Sequence, residues 1–106
     1  MPEAYFVGLV QPARNVTQTI STSSVGIAEA RNNLNKRSVL LVRNISGNGN
    51  RASISFGLGS AVANTGVILE DGESFSDTSE TTYECYQGMI TAIGSAVGTI
   101  LSIFER

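Results

Sequence analysis

Short runs rich in Val, Ile, Thr, Phe and Tyr recur along this chain, broken about every 8 to 15 residues by clusters of Gly, Asn and Ser. That texture constrains the fold most, because it leaves no room for a long amphipathic helix and supplies a reversal after nearly every run. It predicts an all-β chain, a single small β-sandwich of jelly-roll or immunoglobulin-like type with about eight strands. At 106 residues only one compact domain fits.

The runs can be placed one by one. Ala4–Val10 (AYFVGLV) is the first candidate strand, closed by Pro12, and Asn15–Thr22 is the second, with Val16 and Ile20 on one face. Together they make a segment 1–25, an N-terminal strand or arm, ahead of a sandwich domain 26–106. Ile27–Lys36 has Ile27, Ala30 and Leu34 at helical spacing, but its asparagines favour a loop. Ser38–Ile45 (SVLLVRNI) is the strongest strand: its unbroken apolar stretch predicts a central position, covered on both faces. Ser46–Asn50 (SGNGN) is a turn that makes a hairpin with Arg51–Phe56. Val67–Leu69 is short, and the Asp71-Gly72 turn leads into Ser74-Phe75. Ser76–Thr82 reads as an exposed loop and Thr82–Tyr86 as a strand. Met89–Ile93 and Gly98–Phe104 read as two more strands joined by a hairpin loop at Gly94–Gly98.

Composition then narrows the chemistry. There is no His, no Trp and one Cys, which removes the usual zinc ligand sets, the Ser/His and Cys/His nucleophile systems and disulfide frameworks. Gly57-Leu58-Gly59 starts like a dinucleotide fingerprint, but position 62 is Val and no helix follows. Glu70, Asp71 and Glu73 lie at a turn tip, where three carboxylates read as a solvated turn rather than a calcium site. The reading is a non-enzymatic protein with no metal and no cofactor. Cys85 reads as a small buried or half-buried apolar residue.

Charged residues are 15% of the chain, against roughly 25% in an average soluble domain. The polar surface is carried instead by 13 Ser, 9 Thr and 8 Asn. Net charge is -2, yet residues 1–53 hold six cations against two carboxylates and residues 54–106 one cation against seven. Either strands from the two halves pair and neutralise each other, or opposite patches face neighbouring subunits. Nucleic acid is not expected as a partner, because no aromatic residue lies between Phe6 and Phe56 to stack beside the cations. No membrane span is expected either, since no run approaches the ~20 apolar residues required. The N-terminus lacks the basic start of an export signal, so the chain is expected to fold in a reducing cytosol. In Tyr5-Phe6 the two side chains alternate across a strand, which suggests either an edge strand with one exposed aromatic or an arm anchored on a neighbouring subunit.

From about Glu29 onward the order of signals resembles the tailed-phage capsid decoration, or cement, proteins. The matching stretches are the Asn-rich lead into Arg37, Ser38–Ser46, Ile54–Gly57, Val67–Phe75 with Gly72 and Glu73, Tyr86–Ile93 and Ile100–Glu105. The resemblance implies a virion structural protein that sits on the capsid surface, made in the host cytoplasm. It binds the major capsid protein, commonly as a homotrimer, and stabilises contacts between capsid subunits. Interface candidates are Tyr5, Phe6, Arg14, Arg37 and Arg43. Two other roles stay open: a head-tail connection or tail accessory protein, and a carbohydrate-binding adhesion module using Tyr83, Tyr86, Gln87 and Glu84.

Overall fold

The computed structural model describes residues 13–57 and 59–106. They form eight strands and no helix: β1 (Arg14–Ile20), β2 (Val25–Ala28), β3 (Val39–Asn44), β4 (Ala52–Phe56), β5 (Val67–Leu69), β6 (Ser74–Thr78), β7 (Ile90–Gly94) and β8 (Thr99–Glu105). A front sheet runs β1-β8-β3-β6 and a back sheet β2-β7-β4-β5, every pair antiparallel. β1 pairs with β8, β2 with β7, β3 with β6 and β4 with β5, so the chain is one long hairpin doubled on itself and wound into two layers. That order is a jelly roll, which decides between the two sandwich types the sequence allowed.

Alternation within each strand builds the core. Leu101 and Ile103 of β8, Leu40 and Val42 of β3, Ala52 and Ile54 of β4, and Ile90 and Ala92 of β7 turn inward and are fully buried. Each such aliphatic side chain larger than Ala stabilises the fold by about 1.5–3 kcal/mol. With Trp absent, the aromatic part of the core is small. Phe56 of the back sheet meets Phe75 of the front sheet at 5.2 Å and Tyr86 edge-on at 5.3 Å.

The structure departs from the sequence reading in instructive places. The turns at Ser46–Asn50, Glu70–Glu73 and Gly94–Gly98 do not close hairpins, because β3 and β4, β5 and β6, and β7 and β8 lie in different sheets. Each turn crosses the sandwich. Asn44 shows why at the first of them: its buried amide donates to Asn50 O at 2.8 Å and Leu69 O at 2.9 Å, tying the end of β3 to the opposite sheet. Ile27, expected in a loop, belongs to β2, whose register breaks between Gly26 and Ala28. A four-residue strand with a glycine and a break has no periodicity to read. β6 runs on to Thr78, into the expected loop, whereas Thr82–Tyr86 is no strand and makes only the Glu80–Tyr83 bridge. β1 lies against β8 along its full length, so the sandwich includes Arg14–Ile20. The candidate strand Ala4–Val10, with Tyr5 and Phe6, lies outside the described residues.

Candidate docking face

The charged residues are organised around one carboxylate. Glu105, at the end of β8, is buried and receives three guanidiniums: Arg37 Nε donates to Oε1 at 2.8 Å, Arg31 approaches Oε1 at 3.1 Å, and Arg14 donates to Oε2 at 2.6 Å. Burial alone would push the Glu105 carboxyl up, but the hydrogen bonds from Arg37 and Arg14 and the charges of Arg37 and Arg31 hold it below its ordinary value. Arg37, an interface candidate by sequence, is only 1% exposed and also donates to the carbonyls of Tyr86 and Glu29. Its fork fastens the end of the front sheet to two loops, so it is unavailable to a partner. Arg14 is partly exposed yet engaged by Glu105. Arg43 is exposed and, among the described residues, makes no ion pair.

All five ion pairs among the described residues join a cation from residues 1–53 to a carboxylate from residues 54–106: Arg14, Arg31 and Arg37 to Glu105, Lys36 to Glu84, and Arg51 to Glu70. Strand pairing thus brings the opposed charges of the two halves together inside one fold.

Two concave regions and one thiol carry little chemistry. A cleft of about 510 Å³ between β2 and the end of β8 is lined by Arg14, Arg31, Glu105, Ile27 and Met89, but its guanidiniums are already directed at Glu105. A shallower hollow beside Ser79–Glu84 includes Tyr83. Of the aromatic and amide groups proposed for sugar binding, Tyr86 packs on Phe56 and the Gln87 amide is spent on Arg37 and Cys85. Only Tyr83 keeps an exposed ring, with its hydroxyl donating to Asp77 at 2.7 Å. The Cys85 thiol is buried, and that burial, with the nearby Asp77 charge, pushes it up to about 11. Among the described residues no cluster of three or more His, Cys, Asp or Glu stands close enough to hold a metal.

The two outer faces of the sandwich differ. Over the back sheet lies the β4–β5 connection. Asn64 N donates to Ser53 Oγ at 2.9 Å, Ala61 N donates to Ser24 Oγ at 2.8 Å, and Ser53 and Thr91, on the outer side, are buried. Nothing among the described residues covers the front sheet in this way. Its outward side chains include Val39 and Leu41 of β3 and Ile100 and Phe104 of β8, and Ile45 continues the row just past β3. Leu41 is 39% exposed and Ile45 41%. Leu41 stands directly opposite Phe104, and Ile45 N bonds Ile100 O, so these residues form an apolar strip across two neighbouring strands, interrupted midway by the Arg43–Ser102 pair. Hydroxyls flank the strip, with Thr17 and Thr19 on one side and Ser74, Ser76 and Thr78 on the other, and Ser102 lies within it opposite Arg43. Arg43 is the only charge among the strand residues of this face.

No family model matches the chain, and no curated protein matches it.

The face also overturns one expectation. Ser38–Ile45 predicted a strand covered on both sides, and β3 is indeed internal to its sheet, but Leu41 faces solvent. The same unbroken apolar run that reads as double burial encodes burial on one side and an open apolar strip on the other. The Glu105 cluster was missed for a different reason: three arginines spread over 24 positions converge on a carboxylate only through the β1-β8-β3 order and the loop before β3. The charge split between the halves was its one sequence signal.

Proposed function

We propose that this chain is a non-enzymatic virion structural protein, a decoration protein that lies on the outer surface of a phage head and stabilises contacts between major capsid subunits. The observation that carries this reading is the front face, left open among the described residues. It is an apolar strip set among hydroxyls, with Arg43 at its middle as the one outward charge of the strands, in a protein that covers its other sheet with its own loop. Such a face gains by losing water against a matched protein surface, and its hydroxyls supply neutral hydrogen bonds that salt screens little. The jelly-roll order adds an analogy, since the architecture recurs in capsid proteins, though it also serves lectins and cupins. Binding to the assembled shell would stabilise the particle by mass action.

The test is co-sedimentation with expanded capsids using the intact chain and the variants Leu41→Glu and Ile45→Glu. Both substitutions are at exposed positions, so thermal stability should hold while capsid binding drops at least about tenfold, the loss expected when one central contact worth ~1.4 kcal/mol is removed. A chain with no affinity for capsids, or variants that bind as tightly as the parent, overturns the reading. Placement on the tail would appear as a low copy number in particle reconstructions.

A further inference from the structure

A jelly roll of this kind has four sheet edges, and three of them are guarded. β5 is only three residues long. β2 has four, broken by its register shift, and the Gly26 carbonyl accepts a bond from the Gln18 side chain at 3.2 Å. β6 carries Asp77, an inward carboxylate held by Tyr83 Oη and Tyr86 N. Short length, irregularity and inward charge are the ordinary means of blunting an edge. β1 is the least guarded, its one inward charge being Arg14 at the first residue, paired with Glu105. It is seven residues long, regular, without Pro or Lys, and rich in β-branched residues.

The backbone groups it leaves open can be identified. Between β3 and β8, Val39 and Arg106 exchange bonds and Ile45 N bonds Ile100 O, so the even-numbered residues of β8 face β3. Its odd-numbered residues therefore face β1, where they bond their partners Arg14, Val16, Gln18 and Ile20. Asn15, Thr17 and Thr19 direct their N–H and C=O groups away from the sheet, and no backbone bond to them occurs among the described residues.

We propose that β1 is a self-pairing edge, through which two copies of this chain join antiparallel with Thr17 opposite Thr17. Asn15 then lies opposite Thr19 on both sides of the two-fold axis, and the three open residues of each copy supply about six inter-chain backbone bonds. The charge pattern favours this orientation. Arg14 is the only charge on β1, and antiparallel pairing sets the two Arg14 residues about 20 Å apart, whereas parallel pairing in register would place them side by side. Thr–Thr is a favourable pair at the centre. The product is one continuous eight-stranded sheet with both apolar strips on the same side.

The experiment combines light scattering with amide exchange on the intact chain. A species of twice the chain mass is expected, with the amides of Asn15, Thr17 and Thr19 becoming protected as concentration rises, while those of Val16 and Gln18 are protected throughout. Thr17→Lys and Thr17→Asp, both at an exposed position, should each fold as a monomer by circular dichroism. Mixing the two should restore the double mass, since ammonium then faces carboxylate. Free exchange at Asn15, Thr17 and Thr19 at every concentration, including in a trimer, overturns the proposal. So does association unaffected by Thr17→Lys or Thr17→Asp.

Discussion

Glu105 and Asn44 show two ways of burying polarity in a core this small. Glu105 has three cationic partners, so removing its charge leaves guanidiniums facing one another, and Glu105→Gln should cost about 3–5 kcal/mol in urea denaturation. The pH dependence follows from the direction of its shift. A carboxyl held below its unfolded value contributes stability that is complete above about pH 4.3 and is lost as pH falls through the folded value. Asp77 moves the same way, its burial being outweighed by Tyr86 N and Tyr83 Oη, so Glu105→Gln should flatten the acid limb without abolishing it. Asn44 is neutral and fully used: Nδ2 donates to two carbonyls, and Oδ1 accepts from Ser46 N and Ser46 Oγ. Asn44→Asp turns that donor into an acceptor facing Asn50 O and Leu69 O, and should lower the melting temperature more than Asn44→Ala does. For Cys85, a thiol near 11 instead of 9.0 has a thiolate fraction on the order of a hundredfold lower. Iodoacetamide should label it slowly in the native protein and readily in denaturant, as read by mass spectrometry.

At the scale of elements, the sequence marked where the chain reverses but not which strands meet. Six of the strands, β1, β3, β4, β5, β7 and β8, follow the apolar runs within a residue or two, because each run marks its own extent. Pairing is not local: Ser46-Gly47-Asn48-Gly49-Asn50 would suit a hairpin equally well, and the choice to cross the sandwich is made by Asn44, Asp71 and the distant β5. Asp71 accepts from Gly47 N at 2.9 Å and Gly49 N at 2.8 Å, tying two crossing turns together at one end of the fold. The docking strip was half legible for the same reason: its residues were visible as apolar, and their exposure depends on which loop folds over which sheet. That loop can be tested through Gly66. Its φ is +84° and an added Cβ would lie 2.3 Å from the Ile54 carbonyl oxygen, so Gly66→Ala should cost more than about 1 kcal/mol. Gly49→Ala, at the same φ but in open space, should cost less. Urea denaturation of the pair separates a clash from simple dihedral strain.

In the whole molecule, both sheets alternate in origin: β1, β3, β2 and β4 come from the half before the β4–β5 connection, and β8, β6, β7 and β5 from the half after it. Every ladder pairs one half with the other, and the outermost pairing joins Arg14 to Glu105. Contacts so far apart in sequence make folding slow, and stopped-flow refolding should fall in the millisecond-to-second range rather than microseconds. They also mean that neither half can build a sheet from its own strands in this topology. Cut in the β4–β5 connection, the chain gives one fragment with six cations and two carboxylates and another with one cation and seven carboxylates. Each should be unfolded alone by circular dichroism. Mixed at low salt, they should find each other by charge and fold only as a pair, which makes this jelly roll a natural two-piece complementation system.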